Sequence, residues 1–172
     1  MSRYHTVFGS LEEHEKGSID VINDDAKHYV FSNVFEVTAK SPPYQKVAVA
    51  RNLEYVVEAI RAEGKSPWFT CAHDEFVVVL DGEVQVDLAR PTEPTAGPRT
   101  EPKADLAPGG TVALPHEPTG PRMGRITLSR GHQALLPAGA AYQFTATRPS
   151  AMIQQTLKGE LTVEKWAEIC AR

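Results

Sequence analysis

Cysteine is nearly absent from this 172-residue chain, whose two copies, Cys71 and Cys170, lie far apart and outside any Cys-x-x-Cys pair. That spacing gives no sign of a disulfide framework or a thiolate zinc site, and it leaves both as small apolar residues of an interior. An excess of basic charge is missing as well. With 18 Lys and Arg against 22 Asp and Glu, a net charge of −4 and a pI near 5.9, the chain carries no electrostatic footprint for nucleic acid or an anionic membrane surface. No apolar run approaches the length of a membrane span, and the start, Met1-Ser-Arg-Tyr-His-Thr6, lacks a signal-peptide core, so a cytoplasmic location is expected. At 41% hydrophobic and 23% charged, the length suits one core and one domain, 1–172.

What the chain does contain is β-branched and aromatic runs punctuated by glycine and proline. The stretch from Gly64 to Gly82 organises the rest. Phe76 to Leu80 is apolar and rich in valine, Asp81-Gly82 offers two positive-φ turn positions, and Glu83 to Leu88 alternates on the way back, which predicts a β-hairpin. Upstream, Ser10 is placed to cap a helix over Leu11 to Lys16 with Gly17 as its stop. Tyr29 to Val37 reads as an extended, aromatic segment ended by Ser41-Pro-Pro43, and Lys46 to Ala50 as a strand. Glu54 to Glu63 fits a helical face through Val56, Val57 and Ile60, and a strand face through Tyr55, Val57 and Ala59.

Eight prolines and five glycines fall between Pro91 and Gly124, so regular structure is not expected through most of this 34-residue insertion. Its apolar patches, Val112-Ala-Leu114 and Met123, predict that it docks on something. Short strands follow at Arg125 to Leu128, Gln133 to Leu136, Tyr142 to Thr147 and Ala151 to Leu157. Thr162 is the expected cap of a last helix in which Val163, Trp166, Ala167 and Cys170 share a face.

Two motifs carry a resemblance to the cupin superfamily. Glu75, six residues and Gly82 reproduce the end of the first cupin motif, and Gly131, Pro137 and Gly139 reproduce the spacing of the second. The positions that bear metal-binding histidines in that family hold Phe69 and Cys71 in the first motif and Tyr142 in the second, and Ala146 stands where the second motif has asparagine. The resemblance therefore implies a mainly β fold: one jelly-roll β-barrel with an N-terminal arm and first strands (1–45), a first-motif region (46–90), the insertion (91–124), a second-motif region (125–158) and a short C-terminal helix (159–172). It also decides Glu54 to Glu63 in favour of a strand leading into the first motif. Only Glu75 survives of the ligand set that an iron cupin needs, so no metal is expected in this chain.

Phe8-Gly-Ser10, Lys16-Gly-Ser18, the run Tyr29 to Val37, and Val57 to Gly64 leading into Ser66-Pro-Trp-Phe69 resemble the small subunit of hydroquinone 1,2-dioxygenase. That resemblance implies a two-component, iron(II)-dependent ring-cleaving enzyme, in an α2β2 arrangement, whose larger cupin subunit holds the iron and meets the aromatic diol. The small subunit would be free of catalytic residues and cofactors. Tyr29, Phe31, Phe35, Trp68 and Trp166 are then the candidate interface residues.

The histidines allow one rival reading. His73 lies two residues before Glu75, so both project to one side of an extended segment with Cys71, and His132 is the nearest third ligand for a shifted site. The competing bland reading makes His73 a turn residue and His132 a satisfied strand histidine. Tyr142 is expected to fill the space a metal would take and to satisfy Glu75 with its hydroxyl. The functional alternative to a dioxygenase subunit is a stand-alone, metal-free cupin, either a small-molecule binding module or an isomerase-like enzyme working through Tyr142 and Glu75.

Overall fold

A computed structural model of the chain describes residues 9–17, 20–25, 32–92 and 109–170. In chain order its elements are α1 (Val34–Lys40), β1 (Lys46–Asn52), β2 (Tyr55–Lys65), β3 (Phe69–Thr70), β4 (Glu75–Asp81), β5 (Glu83–Ala89), β6 (Val112–Ala113), β7 (Arg122–Ser129), β8 (Gln133–Leu136), β9 (Ala141–Leu157), β10 (Thr162–Val163) and α2 (Trp166–Cys170).

The 17-residue strand β9 is the axis. On one side it pairs antiparallel with β2, from Tyr55↔Leu157 to Lys65↔Thr145, and then with β3 at Phe69↔Tyr142. On the other it pairs with β4, from Phe76↔Gln155 to Asp81↔Ala151, and then with β5, from Gln85↔Thr145 to Ala89↔Ala141. β8 and β7 run in turn along β4 and β5. The expected hairpin at Asp81-Gly82 is therefore a corner: β4 and β5 do not pair with each other but form one strand bent across β9.

The same device recurs in the neighbouring strands. Gly64, Gly82 and Gly131 have φ of 71°, 79° and 84°, and the register shifts lie beside the first two, between Ala62 and Gly64 and between Val79 and Asp81. Pro149 marks the bend inside β9, where the sequence reads as two strands. Residues that normally signal turns here let paired strands bend together. At Gly82 the requirement is double, because a Cβ would also sit 2.2 Å from Ser150 Oγ. That hydroxyl takes the backbone proton of Glu83 at 3.1 Å.

Folded over at these corners, the sheet encloses Ile60, Phe69, Val77, Val79, Val86, Leu136, Tyr142, Phe144 and Met152. This is the mainly β, cupin-type barrel that the motifs imply, with a short C-terminal helix. β1 extends it beyond β2, and β10 pairs parallel with β1.

Three local expectations are corrected. The segment Leu11 to Lys16 forms no helix. Ser10 Oγ does accept the Glu13 N–H at 2.9 Å, but six residues ahead of Gly17, at φ 86°, are too few to propagate a turn once nucleated. The second half of Tyr29 to Val37 is helical rather than extended. Asn33 caps α1 through its side chain on the Phe35 N–H, and Ser41, held extended before Pro42, ends it. Within the insertion, 93–108 lie outside the described residues, but its return forms β6 and the start of β7. Thr162 belongs to β10, so α2 begins at Trp166 and is five residues long. Trp166 and Ile169 pack with Val34 on Val37, Val47 and Ala59. No helix among the described residues is long and apolar enough to cross a membrane.

Alanine substitution separates the two demands on the corner glycines. At Gly64 nothing lies within 4 Å of the place a Cβ would take, so Gly64→Ala costs about 1 kcal/mol for its positive φ alone. Gly82→Ala must also displace Ser150 and is expected to cost about 2–4 kcal/mol. Equal shifts in denaturant midpoint would remove the close-approach argument.

Candidate functional site

The barrel interior, where a cupin holds its metal, is occupied by a polar chain that crosses the fold. Lys46 Nζ on β1 donates to Gln154 Oε1 on β9 at 2.8 Å, and Gln154 Nε2 donates to Tyr142 Oη at 3.0 Å. Tyr142 donates in turn to Glu75 Oε2, and Thr111 Oγ1 donates to Glu75 Oε1 at 2.5 Å. Its direction is set chemically, because an ammonium offers only protons and a carboxylate only lone pairs. Lys46 also lies 3.5 Å from Glu58 and 5.0 Å from the Phe69 ring centre. Glu58 accepts from Thr162 Oγ1 at 2.7 Å.

Lys46, Glu58, Glu75, Tyr142 and Gln154 are each no more than 2% exposed, which makes their mutual compensation obligatory. Burial first, and then the charge and hydrogen bond of Glu75, push the Tyr142 phenol well above its ordinary value, so it stays a proton donor. Burial likewise raises Glu58, with Lys46 opposing. The rings of Phe69, Tyr142 and Phe144 meet at centroid distances of 5.3–6.4 Å and fill the rest of the space.

A second cluster lies beside it. Cys71 Sγ, His73 and Glu75 bring one ligand atom each within 4.8 Å of one another. Cys71 Sγ is 3.1 Å from His73 Nδ1, while His73 Nε2 receives the Leu157 N–H at 3.2 Å. A backbone N–H can only donate, so Nε2 is the acceptor of a neutral ring and the proton sits on Nδ1. Coordination through Nδ1 would move that proton to Nε2 and set it against the Leu157 N–H. Burial keeps His73 below its usual value and, with Glu75, pushes the Cys71 thiol up to about 11. Cys71 and His73 thus form a thiol–imidazole contact beside Glu75. His132 is not part of the cluster. It is exposed in the β7–β8 corner, with Nδ1 on the Ser129 N–H at 3.2 Å.

The other sequence candidates are distributed differently. Phe69, Cys71, Glu75 and Tyr142 come together as the two cupin motifs require. Phe35 and Trp68 are buried by this chain itself, Trp68 with Ala89 and Ala141 and beneath the Arg122 guanidinium at 4.8 Å. Trp166 is half-buried on β1 and β2, while Tyr29 and Phe31 lie outside the described residues. Lys46, Glu58, Thr111 and Gln154 are members that the motifs do not reach. Glu58 shares the inward phase of β2 with Val56 and Ile60, a charged residue on an apolar face, and that was the available signal.

No protein-family model matches the chain, and neither does any curated protein. Among solved structures, it is similar to a chain of hydroquinone 1,2-dioxygenase PnpCD in complex with Cd2+ and 4-hydroxybenzonitrile. The identity is 51% and the TM-score 0.85, over 99% of this chain and 98% of that one. A chain of hydroquinone 1,2-dioxygenase from Sphingomonas sp. TTNP3 with 4-hydroxybenzoate bound matches at 48% identity and TM-score 0.82, over 98% of each chain. A longer chain, from PnpCD in complex with Fe3+, shares the fold at 11% identity and TM-score 0.61, over 90% of this chain and 39% of that one.

Two measurements check the site. Tyr142→Phe leaves Glu75 Oε2 without its donor and Gln154 Nε2 with only Thr111 Oγ1 at 3.4 Å, and it should destabilise the chain by about 1–3 kcal/mol in denaturant titration. An unchanged midpoint would remove the relay as a structural element. Because His73 is held below its unfolded value of 6.5, the unfolded state binds the extra proton first. Stability should thus be complete above that pH and fall as pH drops toward the folded value, a slope that His73→Gln flattens.

Proposed function

The chain belongs to the hydroquinone 1,2-dioxygenase family, and we propose that it is the small, non-catalytic subunit of a two-component, iron(II)-dependent dioxygenase that opens hydroquinone to 4-hydroxymuconic semialdehyde. The observation that carries this reading is an intact cupin barrel whose ligand positions are filled by Phe69, Cys71 and Tyr142, in a chain matched end to end by subunits of that enzyme. In support of this reading, the buried relay fills the interior in which a stand-alone cupin would hold its metal or its ligand. Iron and the aromatic diol belong to the larger partner, for which the longer chain of the same fold is the counterpart. We take the assembly as α2β2, in the cytoplasm. Because Phe35 and Trp68 serve the chain's own core, the contact with the partner falls on Tyr29 and Phe31 and on the exposed Val112 and Met123 of the insertion, 53% and 44% accessible.

Co-expression with the larger chain tests the assignment. Expected are co-purification, iron that stays with the larger chain, and oxygen uptake on hydroquinone only when both are present. Met123→Asp should weaken association about tenfold, and Tyr142→Phe should leave the turnover of assembled enzyme within about twofold. Oxygen uptake by this chain alone, or assembled enzyme silenced by Tyr142→Phe, would overturn it.

A further inference from the structure

The carboxylate that sits at the cupin ligand position, Glu75, accepts a hydrogen bond from a residue outside both motifs. Thr111 comes from the returning end of the proline-rich insertion, is 4% exposed, and reaches Glu75 Oε1 at 2.5 Å. Gln154 Nε2 lies 3.4 Å from the same hydroxyl. On either side of Thr111 the segment is pressed onto the barrel by backbone alone. A Cβ on Gly110 would sit 2.1 Å from the Leu157 carbonyl and 2.9 Å from Gly159 N, so only glycine permits this approach. Val112 and Ala113 pair with Thr70 and Phe69, and the Leu114 N–H closes the run on Trp68 O at 2.7 Å. β6 is two residues long and both are exposed, so its ladder alone holds it weakly.

We propose that residues Gly109–Leu114 are a strap across the barrel mouth, fastened by Thr111 on Glu75, and that its release exposes the Glu75–Tyr142 pair to solvent. The glutamate that in a metal cupin ligates the ion holds, in this chain, a segment of the chain itself. The insertion is thereby coupled to the interior. A partner that engages the exposed Val112 pulls on a segment whose next residue is hydrogen-bonded to the relay. This inference concerns the chain alone and does not depend on the dioxygenase assignment.

Backbone amide hydrogen exchange on the full chain tests it. Thr111→Val keeps the shape and removes the hydroxyl. It should speed exchange at Val112 and Leu114 about tenfold or more, while amides of β5 and the middle of β9 keep their rates. Thr111→Ser restores a hydroxyl and should recover most of the protection. Unchanged exchange at Leu114 in Thr111→Val, acceleration spread evenly over β5 and β9, or no recovery in Thr111→Ser would each overturn the proposal.

Discussion

An ammonium and a carboxylate, Lys46 and Glu75, are both shut out of water and joined by Gln154 and Tyr142, and the rest of the barrel is arranged around keeping that connection whole. A charge buried without a partner costs several kcal/mol, so each member must arrive in position when the fold closes. The members come from far apart: Lys46 from β1, Glu75 from β4, Tyr142 and Gln154 from β9, and Thr111 from the insertion. The relay thus ties four regions of the chain to one geometry, and it makes β9 the element that supplies two consecutive donors.

The strand corners make this convergence possible. Four strands bend at the same line, through Gly64, Pro149, Gly82 and Gly131, so the half of β9 that carries Tyr142 turns over the half that carries Gln154. Without the bend, side chains 12 residues apart on one strand would lie far beyond hydrogen-bond reach; with it, Gln154 Nε2 stands 3.0 Å from Tyr142 Oη. A metal ion is one way to hold such a corner together from inside. Here hydrogen bonds and aromatic packing do so.

Much of this was legible beforehand. Valine runs and alternation located β1, β4 and β5, and the cupin resemblance decided β2. The resemblance of Glu75, Gly82, Gly131, Pro137 and Gly139 to the cupin motifs located the barrel, and Phe69, Cys71 and Tyr142 stood where that family carries histidines. The interior apolar face of each strand follows from a period of two, which is a local property and survives any assembly of the parts. The expectation that Tyr142 answers Glu75 rested on equally simple grounds, since a buried carboxylate needs a donor and the phenol stood at the matching position.

What remained illegible depends on distance rather than type. Asp81-Gly82 is a turn or a corner according to which strand lies opposite, and only the pairing with β9 decides. Val34 to Lys40 became a helix because Asn33 caps it and β1 and β2 offer a floor for Val37, whereas its β-branched composition pointed to a strand. What His73 meets was open until the Leu157 N–H, brought from 84 residues away, reached Nε2. The sequence by itself determined the inward face of the strands and, through its resemblance to the cupin motifs, the barrel and the loss of its histidines, because those depend on residue type at local intervals. Tertiary structure alone decided which polar groups answer Glu75, because partners 36 and 67 residues distant are chosen by closure of the sheet.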